Sequence, residues 1–504
     1  MGVGASQEPE PAAAELALFL PHELSALRAA YRSIASPQGL HAAQLEVLGD
    51  AVPWDALFRL MASLEEPPVP ADGGVVTFRG FLFAVARCCK VGRRERAETI
   101  LALYGGAELS EAQLGRAMHD ALVAVRAGAP AEAATDESLS AALADARLGL
   151  PDGAGLRAEA WLDWTSAQLP ALSLVLELHI LEHLCAVGRA AEAAAKRGGA
   201  AASSGGGAPR LELGAALEAV QEPLLVPAEG QEEGHELLTP THGWLLALAL
   251  GPAAAGEARE WRCLYASRSH GLSMNRFAHH AAGYSGPTLL LVLTEADELF
   301  GAALDAPLKP SDKFSSAGNG GFLFTLAPRF HVYRPTAIAK NYVLYNPPQQ
   351  GALRTEVYLH GGSDAPPELV GFGGQTARLR MSLEDDLNQL RWHRSCTTYA
   401  MHPRDDGAPP EGVRRVRAVE LWGCGGADAD KVQRELRERR VRDGARAGKV
   451  DRAAMFGMGG GSDWRDENNP DRLILESAGA HTFYSATLEK LPAEKPGGAA
   501  GSKE

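Results

Sequence analysis

This 504-residue chain is short of several things, and each shortage closes a class of function. It has six cysteines (Cys88, Cys89, Cys185, Cys263, Cys396 and Cys424), scattered and without a C-x-x-C pair. That argues against a disulfide framework, a zinc ribbon or a thioredoxin-type site, and points to reduced thiols in the cytosol. Basic residues are outnumbered, 49 Lys+Arg against 63 Asp+Glu, for a formal net charge of −14. A general nucleic-acid binder needs clustered cations to neutralise phosphates, so that class is disfavoured. An uninterrupted apolar run is also missing. The longest, Leu169 to Ala186, is broken by Glu177, His179, Glu182 and His183. Ionised groups are costly in hydrocarbon, so this stretch reads as a buried helix of a soluble domain. Residues 1–27 hold four Glu and no Lys or Arg, unlike the basic start of a secretory signal. There is no β–α–β alternation and no nucleotide fingerprint, which disfavours a doubly wound fold. Glycine, by contrast, is in excess: 55 residues, against a typical share of about 7%.

The texture of the chain divides it into five stretches. Residues 1–14 are a tail whose start, Met1-Gly2-Val3-Gly4-Ala5-Ser6, fits the N-myristoylation pattern with Gly2 as the acylated residue. A single myristoyl chain binds membranes only marginally, and the flanking residues are acidic. A second anchor must therefore come from a partner or from elsewhere in the fold. Residues 15–190 read as helices, with apolar positions such as Leu24, Leu27 and Tyr31, then Trp54, Leu57, Phe58 and Met61, at helical spacing. Two connectors have the look of EF-hand loops, Ser33 to Gln44 and the stretch around Asp72-Gly73-Gly74-Val75-Val76. With Val76 at the central apolar position, however, Val69, Ala71 and Gly80 stand where calcium needs oxygen ligands, and no metal is expected. Trp161 to Ala190 reads as one further helical segment. Residues 191–234, rich in Gly, Ala and Ser, read as a linker.

Residues 235–426 change to β texture. Short runs at Thr288–Leu293, Phe322–Leu326, His331–Tyr333, Tyr342–Tyr345, Ala377–Leu383 and Val419–Trp422 alternate with turn residues, as in an antiparallel sheet or sandwich. Helical stretches at Gly243–Leu250 and Ser273–Ala282 frame them. Residues 427–504 are a charged extension. Within it, Lys431 to Arg452 carries five more positive than negative charges, and Glu435–Arg439 and Glu438–Arg442 are spaced for i,i+4 pairs. It reads as a solvated helix, with docking to an acidic partner or an anionic membrane as the alternative.

Several clusters suggest chemistry without completing it. Ser269-His270-Gly271-Leu272-Ser273 sets hydroxyls beside a histidine, but neighbours in sequence are not a triad. Gly283-Tyr284-Ser285-Gly286-Pro287 fails the G-x-S-x-G pattern at Pro287. His393, Cys396 and His402 lack a fourth ligand and a zinc spacing. Glu384-Asp385-Asp386 is an acidic cluster that a solvated strand end explains as well as acid–base work does. Gly373-Gly374-Gln375 matches the tripeptide of peptide-release factors, but this chain lacks the basic surface of a ribosomal ligand. No catalytic residue, metal or cofactor is expected.

Seven blocks in order do resemble a known family. They are Trp261-Arg262-Cys263-Leu264-Tyr265-Ala266-Ser267 with His270-Gly271-Leu272-Ser273; Gly286-Pro287-Thr288-Leu289-Leu290; Phe300-Gly301-Ala302; Gly318-Asn319-Gly320-Gly321-Phe322-Leu323-Phe324; Gly371-Phe372-Gly373-Gly374-Gln375; Cys396-Thr397-Thr398-Tyr399; and Val419-Glu420-Leu421-Trp422-Gly423. From His235 to Gly426 the chain resembles the TLDc domain family. With the helical half, the Met-Gly start and Trp161-Leu162-Asp163-Trp164, it resembles the myristoylated, MTOR-associated branch. The resemblance implies an α+β protein, an EF-hand-like helical region followed by a β-sandwich flanked by helices, with no accepted active site. It also implies a role in resistance to oxidative stress, binding to vacuolar proton-pumping ATPase subunits or MTOR-pathway components, and a peripheral place at the lysosomal or vacuolar membrane. The alternative is direct reaction with peroxide of thiols such as Cys263, Cys396 or Cys424, Cys396 foremost because it lies near Arg391, His393 and Arg394.

Overall fold

The computed structural model describes residues 16–48, 52–70, 74–125, 155–196, 223–227, 237–251, 260–311, 313–315, 321–348, 368–402 and 408–447. The helical periodicity of the first half yields two helix–loop–helix units. α1 (Pro21–Ile34) and α2 (Ala42–Leu45) flank one loop, and α3 (Trp54–Ser63) and α4 (Phe78–Cys89) flank the other. The loops are coupled through an antiparallel bridge in which Leu40 and Val76 exchange backbone hydrogen bonds of 2.9 Å.

Val76 at the centre makes Gly80 the twelfth loop residue, where a calcium loop carries its bidentate Glu. A Cβ on Gly80 would lie 2.4 Å from Oε1 of Glu65. That carboxylate arrives from the end of α3, and accepts the Thr77 N–H at 2.6 Å and the Thr77 hydroxyl at 2.9 Å. Thr77 is in turn the N-cap of α4. The loop's buried carboxylate therefore serves a helix start. Asp72 and Gly73 lie outside the described residues.

α5 (Arg93–Tyr104), β1 (Glu108–Leu109), α6 (Glu111–Val125), β2 (Leu156–Arg157), α7 (Ala158–Ala167) and α8 (Pro170–Lys196) follow. The single helix expected over Trp161–Ala190 is broken at Gln168–Leu169, where Pro170 starts a new helix in the position proline tolerates best. α8 is long and apolar enough to cross a membrane by length and composition. Here it is a core helix, with Leu172, Val175, Ile180 and Leu184 fully buried against α1, α4 and α6.

α8 continues to Lys196, and β3 (Leu224–Val226), within the stretch read as linker, runs parallel to the next strand. Then come α9 (Pro240–Leu250), β4 (Glu260–Ala266), α10 (Ser267–His270), α11 (Met274–Ala281), β5 (Thr288–Thr294), β6 (Leu299–Leu304), β7 (Phe322–Ala327), β8 (His331–Tyr333), β9 (Val343–Asn346), β10 (Leu369–Gln375), β11 (Arg378–Glu384), β12 (Gln389–Trp392), β13 (Gly412–Gly423) and α12 (Gly426–Ala447). The strand order is β8-β7-β6-β5-β13-β12-β11-β10-β9, with β4 on β13 and β3 on β4. β13 belongs to two sheets. Its residues 412–415 pair with β12, and its residues 416–423 pair with β5.

The fold is therefore α+β, a helical region followed by a large, mainly antiparallel β region. Side chains on β4–β7 and β13 alternate between two cores. Leu290, Val292, Phe300, Val419 and Leu421 pack with Phe372, Met381 and Trp392 of the second sheet. Trp261, Leu289, Leu291, Phe322, Phe324 and Trp422 pack instead in a core that continues through Trp244 and Leu172 to Leu27 and Phe81. Burial on both faces explains why β5 reads as an unbroken apolar run. The described residues up to Arg434 form one compact body. From Glu435 on, the described part is the charged end of α12. There Arg439 pairs with Asp443 at 3.7 Å, and Arg442 donates to the Glu438 carbonyl, in place of the expected Glu435–Arg439 and Glu438–Arg442 ion pairs.

Candidate functional site

The residues singled out by the motif blocks are spread through the β region. Trp261, Phe322, Phe324 and Trp422 lie on the face toward the helices, and Phe300 lies between the sheets. Gly301 has Phe324 over it, since a Cβ there would sit 2.3 Å from that ring. Gly2 and Gly320 lie outside the described residues.

The polar motif residues serve as ties. Glu420, 3% exposed, accepts the indole N–H of Trp422 at 2.9 Å and the backbone N–H groups of Leu237 and Leu238 at 3.2 and 3.4 Å. One buried carboxylate thus joins β13 to the start of α9. Gly286 and Gly423 allow a close approach at the end of β13. A Cβ on Gly286 would lie 2.7 Å from Gly425 Cα, and one on Gly423 would lie 2.4 Å from the Tyr284 ring. Tyr284 accepts the Gly425 N–H at 2.7 Å, and the Pro287 carbonyl accepts the Cys424 N–H at 2.8 Å.

A second knot gathers Gly373, Gly374 and Thr398. Both glycines have left-handed φ, +64° and +80°, a conformation that side chains resist. The Thr398 hydroxyl accepts the Gly374 N–H at 3.1 Å, and Asn341 donates to the Gly374 carbonyl at 2.9 Å. The loop from Pro335 to Lys340 is fastened here. Thr336 donates its N–H to Thr398 at 2.9 Å and its hydroxyl to the Thr397 carbonyl at 2.6 Å. Gln375 and Thr397 are exposed beside this knot.

The chemically suggestive clusters take up structural tasks. His270 Nδ1 accepts the Ala266 N–H at 3.2 Å, and its ring stacks on Tyr265, whose hydroxyl in turn donates to Gly271. His393 pairs with Glu411, while His402 stacks on His331, so His393, Cys396 and His402 do not converge on one centre. Glu384 accepts from Ser382 and Arg391, and Asp386 accepts the Met274 N–H at the start of α11. Among the described residues no group of three His, Cys, Asp or Glu is placed to hold a metal ion. Burial pushes the Cys89 and Cys185 thiols up to about 12, and raises those of Cys88, Cys263 and Cys424 as well. Such thiols stay protonated and are weak nucleophiles.

Three residues that tie the molecule together carry no motif signal. Gln168, between α7 and α8, acts as a strand partner for β8, accepting the Val332 N–H at 2.6 Å. Arg334 donates to the carbonyls of Ala167, Gln168 and Ala249 at 2.6–3.2 Å, closing the ends of α7 and α9. Arg380, 1% exposed, packs on both the Trp392 and Tyr333 rings at 4.6 and 5.0 Å, and those rings touch each other edge-on at 5.3 Å. An arginine in a strand reads as surface in a sequence, and only the location of its partners says otherwise.

A sandwich whose motif residues are glycine contacts, aromatic core and buried ties defines a domain class, and the sequence model of the TLDc domain matches residues 232–425. This chain carries a TLDc domain. Its relatives include Oxidation resistance protein 1 of Bos taurus, 29% identical over 37% of this chain and 18% of that protein, and that of Xenopus laevis, 34% identical over 32% and 16%. The MTOR-associated protein MEAK7 of Danio rerio is 24% identical over 36% of this chain and 37% of its own length. The similarity thus spans less than a fifth of the first two proteins and just over a third of the last.

Proposed function

We propose that this protein is a non-enzymatic adaptor that docks through its TLDc region on the vacuolar-type proton ATPase, or on an MTOR-linked assembly at the lysosomal or vacuolar surface. It takes part there in the response to oxidative stress. The observation that carries this reading is the employment of the polar motif residues. Glu420 and Thr398 are bonded into the scaffold and His270 to the local backbone, which supports a role for the domain's surface rather than for a reactive centre. Relatives named for oxidation resistance and for MTOR association support the same class of role. Myristoylation of Gly2 gives peripheral membrane attachment, with the docked partner as the second anchor that one acyl chain requires. The test is affinity purification of the full chain and of Gly2→Ala from cells, with mass spectrometry and membrane fractionation. Recovery of ATPase subunits or MTOR-pathway components, and a shift of Gly2→Ala to the soluble fraction, is the expected result. A wild-type chain that recovers neither set refutes the adaptor reading, and equal fractionation makes Gly2 a bystander.

A second reading rests on Cys396, which is half-buried, accepts the Tyr399 N–H at 3.2 Å and lies within electrostatic reach of Arg380. In this reading its thiol reacts directly with peroxide. Unchanged peroxide consumption by Cys396→Ser removes it.

A further inference from the structure

Strand β13 changes partners midway, and a cleft opens where it does. Its register against β5 slips between Val416, opposite Thr294, and Ala418, opposite Leu293, so Arg417 is the extra residue of a bulge. Bulges re-aim side chains and are over-represented beside functional sites. β4 ends at Ala266, opposite Glu420, where the chain turns into α10. Beyond that point Ser267 Oγ accepts the Val419 N–H at 2.9 Å in place of a strand partner. The resulting cleft of about 530 Å³ is lined by Leu237, Leu272 and Leu293 together with Arg268 and Arg417.

We propose that this cleft binds a small amphipathic anion, a carboxylate, sulfonate or phosphate head on an apolar body. The volume falls in the range of small-molecule sites, roughly 300–1,000 Å³. The half-buried Leu272 and Leu293, over the core residue Leu237, suit a short apolar body, and two guanidinium forks suit the head by charge-assisted hydrogen bonds. Both arginines already have partners within the protein, so binding is an exchange. Arg417 holds Asp297 at 2.6 Å, with the two side chains 51% and 75% exposed. Exposed pairs of this kind contribute little, so an incoming anion displaces Asp297 easily. The inference stands on the cleft alone and is independent of the adaptor reading.

The full chain is titrated with anilinonaphthalenesulfonate, followed by fluorescence, and then competed with decanoate or with decyltrimethylammonium. The expected result is saturable binding reversed by decanoate and not by the cation. Arg417→Gln and Arg268→Gln each weaken it roughly two- to fivefold, the scale of one exposed ion pair. Asp297→Asn strengthens binding by freeing Arg417, and Leu272→Trp fills the cleft and abolishes binding with the charges kept. Far-UV circular dichroism checks that each variant is folded. Absence of saturable binding overturns the proposal. So does equal competition by the cation, or affinity unchanged in both Arg417→Gln and Leu272→Trp.

Discussion

The helical half and the β-sandwich solve the same polar problem in different ways. A helix satisfies most of its own backbone groups, so polar side chains there are free to pair with one another across helices. Lys90 holds Glu23 at 2.9 Å and Arg96 holds Glu177 at 2.7 Å. A sandwich with strands that end, bulge or change sheet leaves backbone N–H and C=O groups without ladder partners, and buried ones must be met. Ser267, Thr398 and Gln168 meet N–H groups of β13, β10 and β8, and Asn341 meets a carbonyl of β10. The difference teaches why motif residues concentrate in the sandwich. A side chain that replaces a backbone partner has one workable geometry, whereas a helix face accepts many apolar substitutes.

Despite that contrast the two regions share a core, and the strongest test is to break it. Trp422→Ala, in the core that reaches Leu27, should lower stability by about 3–5 kcal/mol and shift the unfolding of helices and sheet together in a urea titration. Helices that melt unchanged would mean that the regions are energetically separate. Gly301→Val drives a side chain into Phe324 and should cost about 2–3 kcal/mol by calorimetry. Glu420→Ala strands three donors and should cost about 1–3 kcal/mol, against a near-neutral result if its role is only local.

In the helical half, Glu65→Ala should cost about 1 kcal/mol through the start of α4, and calcium should leave the wild-type melting temperature unmoved. A calcium-dependent rise would return the loop to metal binding. The smallest effect is pH dependence. Burial lowers the His183 pKa below its ordinary 6.5, against a backbone hydrogen bond at Leu48 that raises it. The unfolded chain therefore takes up the proton first, and stability is lost as pH falls from 6.5 toward the folded value. His183→Gln should flatten that slope in thermal melts between pH 7 and pH 5, a range set on the order of His titration.

Legibility in the sequence follows the same physics. α1 and α3 were readable because one face of each is apolar, at Leu24, Leu27 and Tyr31 and at Trp54, Leu57, Phe58 and Met61. β7 and β8 were readable because aromatic and β-branched residues run uninterrupted. β10 was hidden by Gly371, Gly373 and Gly374, which depress strand propensity while serving turns and close contacts. Only the end of β13 was readable, because Arg414, Arg415 and Arg417 make its first half look like surface. Of the ties, the Glu420 and Thr398 blocks stood out, whereas Gln168 and Arg334 did not. Their partners lie 164 residues away and 85 or more residues away, respectively.

By itself the sequence determined the class of the fold, the change from helical to β texture and the residues of the TLDc blocks, because periodicity and glycine placement are local properties of the chain. The tertiary structure alone decided that helices and sheet share one core, that Glu65 occupies the space beside Gly80, and that a cleft forms where β13 passes from one sheet to the other. Each of these depends on groups brought together from distant parts of the chain, and no local pattern encodes that meeting.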